Sequence, residues 1–476
     1  MKLRGLLGGL LLAPLAVAGE PSLDELLEGF DEAPLAETEV LDGFEEEDPL
    51  EAALDGFEDA EAVAIETEVA VAEESAWQFR GYWSNGLSWN IAHDAPSGGR
   101  PDYRGLSRLS SKLWLELEHP LGEGWKWHGD GHLRRDFAYQ IHGESTYPNA
   151  VVERYQQDES LGEFWVAGSL NEAVDLKLGR QTVVWGLSDL LRINDTLNPL
   201  DMREPGLGEL ETLRRPLAMA RGDYYQGPWS VTLLMVPEQR PNLTAPCGGE
   251  FSATGAEAEC QALAVPQQFP DDGWEEMEWG VAAMGRFSGW DLSLYGARLN
   301  HDTPYLESGT YRYARLNQLG AALNVADGSW LWRGEIAYFN GLRFANSSQS
   351  HHRFDLLLGG EYRGWRDQSL TLEVARRELS HYDPSLLTEP DYTQERRWQT
   401  AVSWQHDFNN DTLHLKAILL RNGAQLDEGG YSRLSAEMDL DDQWQLSGGG
   451  IWYQSGIVPP DWGDNDRLFV ELRRDF

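Results

Sequence analysis

The chain has 476 residues, with 79 acidic side chains against 38 Lys and Arg and a formal net charge of -41. That balance excludes nucleic acid as a partner, because phosphate binding needs a Lys/Arg-rich surface. A mean hydropathy of -0.48 beside 11% aromatics, 20 Trp and 49 Gly is odd for a soluble globule, and suits strands that are apolar on one face with aromatic girdles at their ends.

Residues 1–18 read as a signal peptide. Lys2 and Arg4 form a basic start, Gly5 to Leu15 an apolar stretch, and Ala16-Val17-Ala18 a small-x-small cleavage site. Pro14 and the shortness of the apolar run argue against a membrane anchor. Beyond residue 18 there is no apolar run of transmembrane-helix length, so a membrane span would be built from strands.

Residues 19–76 are expected to form a disordered acidic periplasmic tail. Residues 19–75 hold 22 acidic side chains and no Lys or Arg, too little apolar content to fold alone. The tail contains a repeat: Leu27-Glu28-Gly29-Phe30-Asp31-Glu32, then Leu41-Asp42-Gly43-Phe44-Glu45-Glu46, then Leu54-Asp55-Gly56-Phe57-Glu58-Asp59. Leu27, Phe30, Leu41, Phe44, Leu54 and Phe57 are the expected docking side chains: the apolar pair enters a groove on a periplasmic partner and the carboxylates meet its basic rim. Three copies give avidity. Folding back into a barrel lumen, or no role, are the alternatives.

From Trp77 to the end, residues 77–476, the pattern changes to period two. Leu113, Leu115 and Leu117 alternate with Trp114, Glu116 and Glu118; Leu370, Leu372 and Val374 alternate with polar neighbours, as do Leu413, Leu415 and Ala417. Tight turns near 122–124, 171–172, 226–228, 288–289, 327–328, 366–367, 409–411 and 441–442 alternate with longer polar segments near 96–104, 139–159, 187–207, 237–273, 299–310, 340–350, 380–392, 423–429 and 455–464. Short periplasmic turns alternating with long external loops predict an all-β fold: a transmembrane antiparallel up-and-down barrel of about eighteen strands, sixteen being the alternative, in the outer membrane. Trp125, Trp127, Trp229, Trp290, Trp330, Trp365, Trp404 and Trp444 cluster near the predicted turns, at headgroup level.

The most distinctive block is Leu176-Lys177-Leu178-Gly179-Arg180-Gln181-Thr182-Val183-Val184-Trp185-Gly186, leading through Asn198-Pro199-Leu200-Asp201 and Pro205-Gly206-Leu207-Gly208-Glu209-Leu210 to Arg215-Pro216. Here the chain resembles domain-of-unknown-function family 1302 of Gram-negative outer-membrane barrels, whose Gly-Arg-Gln…Trp-Gly, Asn-Pro-x-Asp and Pro-Gly-x-x-Glu blocks match these positions. The resemblance implies association with an RND-type inner-membrane exporter of apolar or lipid-like cargo and with a second periplasmic protein. Physically, segment 187–207 is the candidate for a loop folded into the lumen, with Arg180, Gln181, Trp185, Asn194, Asp195, Asn198, Asp201 and Arg203 forming a constriction. Strict alternation aims Arg180 at lipid beside Leu176 and Leu178, so either a bulge at Gly179 turns it inward or it lies near the outer rim.

Cys247 and Cys260 are expected to close a small structural disulfide loop. His351-His352 would face opposite ways on a strand, and the Asp461, Asp464, Asn465, Asp466 cluster reads as a solvated loop before a cation site. The chain ends in a strand terminating at Phe476, an expected signal to the barrel assembly machinery, with Arg474 departing from the outward apolar pattern. No catalytic motif appears, so no enzyme, cofactor or metal is expected. The expected function is an exporter's outer-membrane component, recruited through the tail, among outer-membrane lipid and lipopolysaccharide. A passive uptake porin and a non-conducting scaffold or lipid-handling barrel are the alternatives.

Overall fold

The computed structural model describes residues 77–476 apart from 97–98, 253–256, 263, 271–273 and 457–461. The signal peptide, the acidic tail with its Leu/Phe repeat, and Asp461 lie outside the described residues.

Eighteen strands run in chain order: β1 Gln78–Asn90, β2 Gly105–Gly122, β3 Trp125–Asp136, β4 Gln157–Asn171, β5 Val174–Gln181, β6 Leu217–Gln226, β7 Trp229–Val236, β8 Glu278–Phe287 and β9 Trp290–Asn300. They continue as β10 Arg315–Asp327, β11 Trp330–Phe344, β12 Ser347–Tyr362, β13 Gln368–Ser380, β14 Arg396–Phe408, β15 Leu413–Asn422, β16 Gly430–Asp439, β17 Trp444–Gln454 and β18 Arg467–Asp475. Each pairs antiparallel with its sequence neighbours, and β1 pairs with β18 from Tyr82↔Asp475 to Asn90↔Arg467. The sheet is a closed up-and-down barrel of eighteen strands with no free edge. That closure is what lets backbone N–H and C=O groups cross a bilayer fully paired.

The two-residue period sorts the side chains. On β12, Leu357 is fully buried while its neighbour Leu358 is 63% exposed. The inward set is polar or charged on most strands, as at Glu116, Arg333, Asp355 and Arg473. The outward set is Leu, Val and aromatic, as at Leu133, Leu161, Leu233 and Leu319. An outside that water would penalise and an inside that lipid would penalise define a transmembrane barrel.

The short connections fall at one end, with both described termini. Asn409, Asn410 and Asp411 all take left-handed φ there (52°, 54° and 62°), the region that Asn and Asp tolerate best after Gly. Trp290, Trp330 and Trp365 stand exposed beside these turns. Arg474 lies at the same end, its guanidinium 5.5 Å from the Trp444 ring centre. Phe476 exchanges backbone hydrogen bonds with Gly81 and stacks on Phe79, locking the closing seam.

The opposite end carries the long connections, and three differ from simple loops. The 139–159 segment holds short helices, Ala138–His142 and Asn149–Tyr155, over a buried cluster of Tyr139, Tyr147, Val151 and Tyr155. Segment 299–310 includes a small hairpin, Tyr305–Glu307 with Thr310–Arg312. Segment 340–350 is no loop: β11 and β12 continue to a turn at Ala345 and Asn346, whose N–H groups both donate to the Asp391 carboxylate at 2.8 Å. Polar Asn and Ser residues read as a loop in sequence, but Asp391 supplies the acceptors that let them stay paired.

Candidate functional site

Between β5 and β6 the chain leaves the wall and folds into the barrel over residues 182–216. Its side chains explain why it stays there. Val183, Trp185 and Leu197 are buried with Leu217, Met219, Leu234, Val236, Ala282, Tyr295 and Ala322 of the inner wall; Trp185 stacks on Tyr295 at 5.1 Å. Further along, Leu191 and Ile193 are buried with Leu316, Phe339, Leu357 and Ala375. The segment therefore rests on inner faces from β6 round to β14.

Polar anchors fix it. Glu335 of β11 accepts from the backbone N–H groups of Leu187 (2.6 Å), Ser188 (2.8 Å) and Asn194 (3.3 Å), and from the Asn194 side-chain amide (2.9 Å). Glu373 of β13 accepts from Ser188 Oγ (2.5 Å) and from the N–H groups of Asp189 and Leu191. Arg333 bridges Asp189 and Glu361, each at 2.6 Å. The tight approach needs Gly186: its φ is +86°, and a Cβ there would lie 2.8 Å from Glu335 Oε2.

The second half of the segment crosses to the remaining wall. Arg203 pairs with Asp158 of β4 and with Asp201, and Glu204 contacts Arg108 of β2 and Arg134 of β3. Burial disfavours charge on Arg203, but the hydrogen bonds and charge of Asp201, together with Asp158, hold its guanidinium above the ordinary value. Arg433 of β16 donates to the Gly206 and Leu207 carbonyls, Tyr453 of β17 to the Pro205 carbonyl, and Lys416 of β15 pairs with Glu209 at 2.7 Å. One continuous segment thus touches opposite sides of the barrel. Above it Glu250, in the connection after β7, reaches the inner wall and pairs with Arg467 at 2.8 Å, and Cys247 and Cys260 of the same connection are joined as a disulfide.

The eight residues expected at the constriction divide. Trp185, Asn194, Asp195, Asn198, Asp201 and Arg203 lie in the inserted segment, but mostly as internal fasteners. Asn198 accepts from Val183 N–H and donates to the Arg215 carbonyl, and Asp195 pairs with Arg192 and Arg214. Gln181 points inward from β5 and donates to the Lys177 and Met219 carbonyls. Arg180 is a correction. Gly179 has φ +127°, yet the β4–β5 register is unbroken there, and Arg180 pairs with Phe164, whose side chain is exposed on the outer face. It therefore stays outward, at the loop-end rim, where Glu238 accepts from it at 2.6 Å. A rim carboxylate makes an inward turn unnecessary.

Glu335, Arg333, Gln318 and Arg377 were missing from the expected site, although they complete it: Gln318 donates to the Asn194 carbonyl and Arg377 to that of Arg192. For Arg333 and Glu335 the signal was a charged residue at an inward position beside the exposed Trp332 and Ile336; Gln318 and Arg377, with Asn317, Arg376 and Glu378 as neighbours, carried no such signal. Of the other clusters, His351 and His352 do face opposite ways, with His351 against Ser347 and His352 against Tyr338. Asn465 is buried against His93, and Asp466 accepts from Tyr453 N–H.

A family model described as "Protein of unknown function (DUF1302)" matches residues 106–476. No curated protein matches the chain. Among solved structures, that of OccAB1 from Acinetobacter baumannii aligns with TM-score 0.50 at 10% identity, covering 84% of this chain and 97% of that one. A BenF-like porin from Pseudomonas fluorescens aligns with TM-score 0.49 at 9% identity, covering 84% and 98%. At such identity the likeness to OccAB1 is one of fold.

Proposed function

We propose a role that starts from one premise: the chain belongs to the DUF1302 family. It is an outer-membrane transport barrel, and within that class it acts as the outer-membrane component of an export system that moves apolar or lipid-like cargo. An RND-type inner-membrane pump and a periplasmic protein, recruited through the acidic Leu/Phe repeats, are its partners.

The observation that carries this reading is the bolted segment 182–216. A passive porin needs a standing hole, which a segment fastened to β11 and β13 on one side and to β15–β17 on the other narrows. Displacing it costs several charge-assisted hydrogen bonds, each worth roughly 1.5–3 kcal/mol. Work on that scale suits a barrel opened by a driven partner.

The test is a chain lacking residues 20–75, made alongside the intact protein. The truncated barrel should assemble but lose both partner pull-down and export. Retained export would overturn the proposal, and stable, solute-selective conductance of the intact barrel in a planar bilayer would favour the passive porin instead.

A further inference from the structure

Near the turn end of the barrel, on the inner face of β2 and β3, four ionisable side chains converge. His128 follows the 122–124 turn closely and is 9% exposed, its ring stacked on Trp165 at 4.8 Å and 11°. Its Nε2 lies 3.2 Å from Asp130 Oδ2, and Asp130 Oδ2 is itself held by Glu163 N–H at 2.9 Å. Its Nδ1 lies 3.1 Å from Glu118 Oε1 and 3.9 Å from Glu116 Oε1. The ligand atoms of Glu116, Glu118 and His128 all fall within 4.8 Å of one another.

Both ring nitrogens thus face carboxylates. With the proton on Nε2, where the backbone-pinned Asp130 orients it, the Nδ1 lone pair points toward two carboxylate oxygens, an arrangement in which all three can converge on one cation. A carboxylate behind one imidazole nitrogen and open carboxylates before the other is the layout that orients a metal-bound histidine. We propose that Glu116, Glu118 and His128 bind a first-row divalent transition ion such as Zn²⁺, with Asp130 as the outer partner that fixes the tautomer. One nitrogen and two carboxylate ligands leave room for water, and suit a borderline ion better than Ca²⁺ or Mg²⁺. Arg80, 2.6 Å from Glu116, and Lys126, 3.6 Å from Glu118, are the resident cations that the ion would displace toward solvent; both are more than half exposed. The three ligands sit on two strands, so no local motif announces them: only the register Glu118↔His128 brings them together.

The test uses the full chain in detergent, stripped with chelator and titrated calorimetrically with Zn²⁺, beside E118Q and H128Q. Heat-modifiable migration of each variant confirms an assembled barrel. One saturable ion per chain is expected, bound at least tenfold more weakly by E118Q and H128Q. Absence of saturable uptake would overturn the site. So would uptake that both variants retain, which would assign the ion to other carboxylates. Should H128Q fail to assemble, E118Q decides alone.

Discussion

Glu335 Oε1 accepts the Leu187 N–H at 2.6 Å, so a wall carboxylate of β11 caps the backbone of a segment that entered the lumen five strands earlier in chain order. The same carboxylate takes three further hydrogen bonds from Ser188 and Asn194. Replacing it with Ala leaves buried amides without acceptors, at a cost of roughly 1–3 kcal/mol for each group stranded. E335A combined with E373A should leave the barrel assembled while loosening residues 187–194. Faster amide exchange confined to that stretch, with current flicker in planar bilayers, is the expected readout. Protection equal to the unmodified chain would show that the apolar clusters alone hold the segment.

Trp185 holds the apolar half of the same lock. It is 1% exposed, stacks on Tyr295, and lies so close to β8 that a Cβ at Gly280 would meet its ring at 2.9 Å. W185A should therefore cost the inserted segment about 3–5 kcal/mol, the usual loss for a large buried aromatic. Limited proteolysis should then cut within 182–216 while the strands resist. An unchanged digestion pattern would remove Trp185 from the account.

The eighteen-strand count was legible because short turns and long polar connections alternate along the chain, while residue alternation marked only the two faces of each strand. Leu357 and Leu358 sit one position apart on opposite faces, and the inward one is apolar because the inserted segment covers it. Segment 187–207 was legible as a lumen loop from its length and its charged and amide groups, but the apolar anchors Trp185, Leu191 and Ile193 formed no part of that reading. What each polar residue does was not legible either. Asn194 and Asn198 read as pore lining, but their amides are spent on Glu335, Val183 and Arg215. Those partners lie on other strands or elsewhere in the fold, and pairing across a closed sheet leaves no local trace. Arg180 illustrates the converse: alternation alone had it facing outward, and Glu238, 58 residues away, is what makes that tolerable.

The disulfide between Cys247 and Cys260, 13 residues apart, closes a short loop inside the long 237–273 connection. A closure of that length removes roughly 3 kcal/mol of chain entropy from the open state. C247S/C260S should leave assembly and the 182–216 lock unaffected while raising proteolytic nicking between 237 and 273. Loss of barrel assembly would contradict a purely local role.

Asp302 gives the loop end a pH dependence whose direction follows from its surroundings. It lies between β9 and the small 305–312 hairpin, where its carbonyl accepts the Asn242 N–H at 3.2 Å. Burial pushes its carboxyl up from 3.8 to about 7, partly opposed by Arg192 and Arg215 and reinforced by Asp195. Burial also pushes the neighbouring His301 down to about 4, so that ring stays neutral above pH 5. A carboxyl whose pKa is raised in the closed state binds its proton more tightly there than when exposed. The stabilisation is complete below about pH 4 and is lost as pH rises through 7. Amide exchange at Asn242 and the adjoining 301–304 segment should therefore accelerate from pH 5 to pH 8 beyond the intrinsic chemical rate. D302N, neutral throughout, should abolish that excess; a slope that persists in D302N would assign the titration to another group.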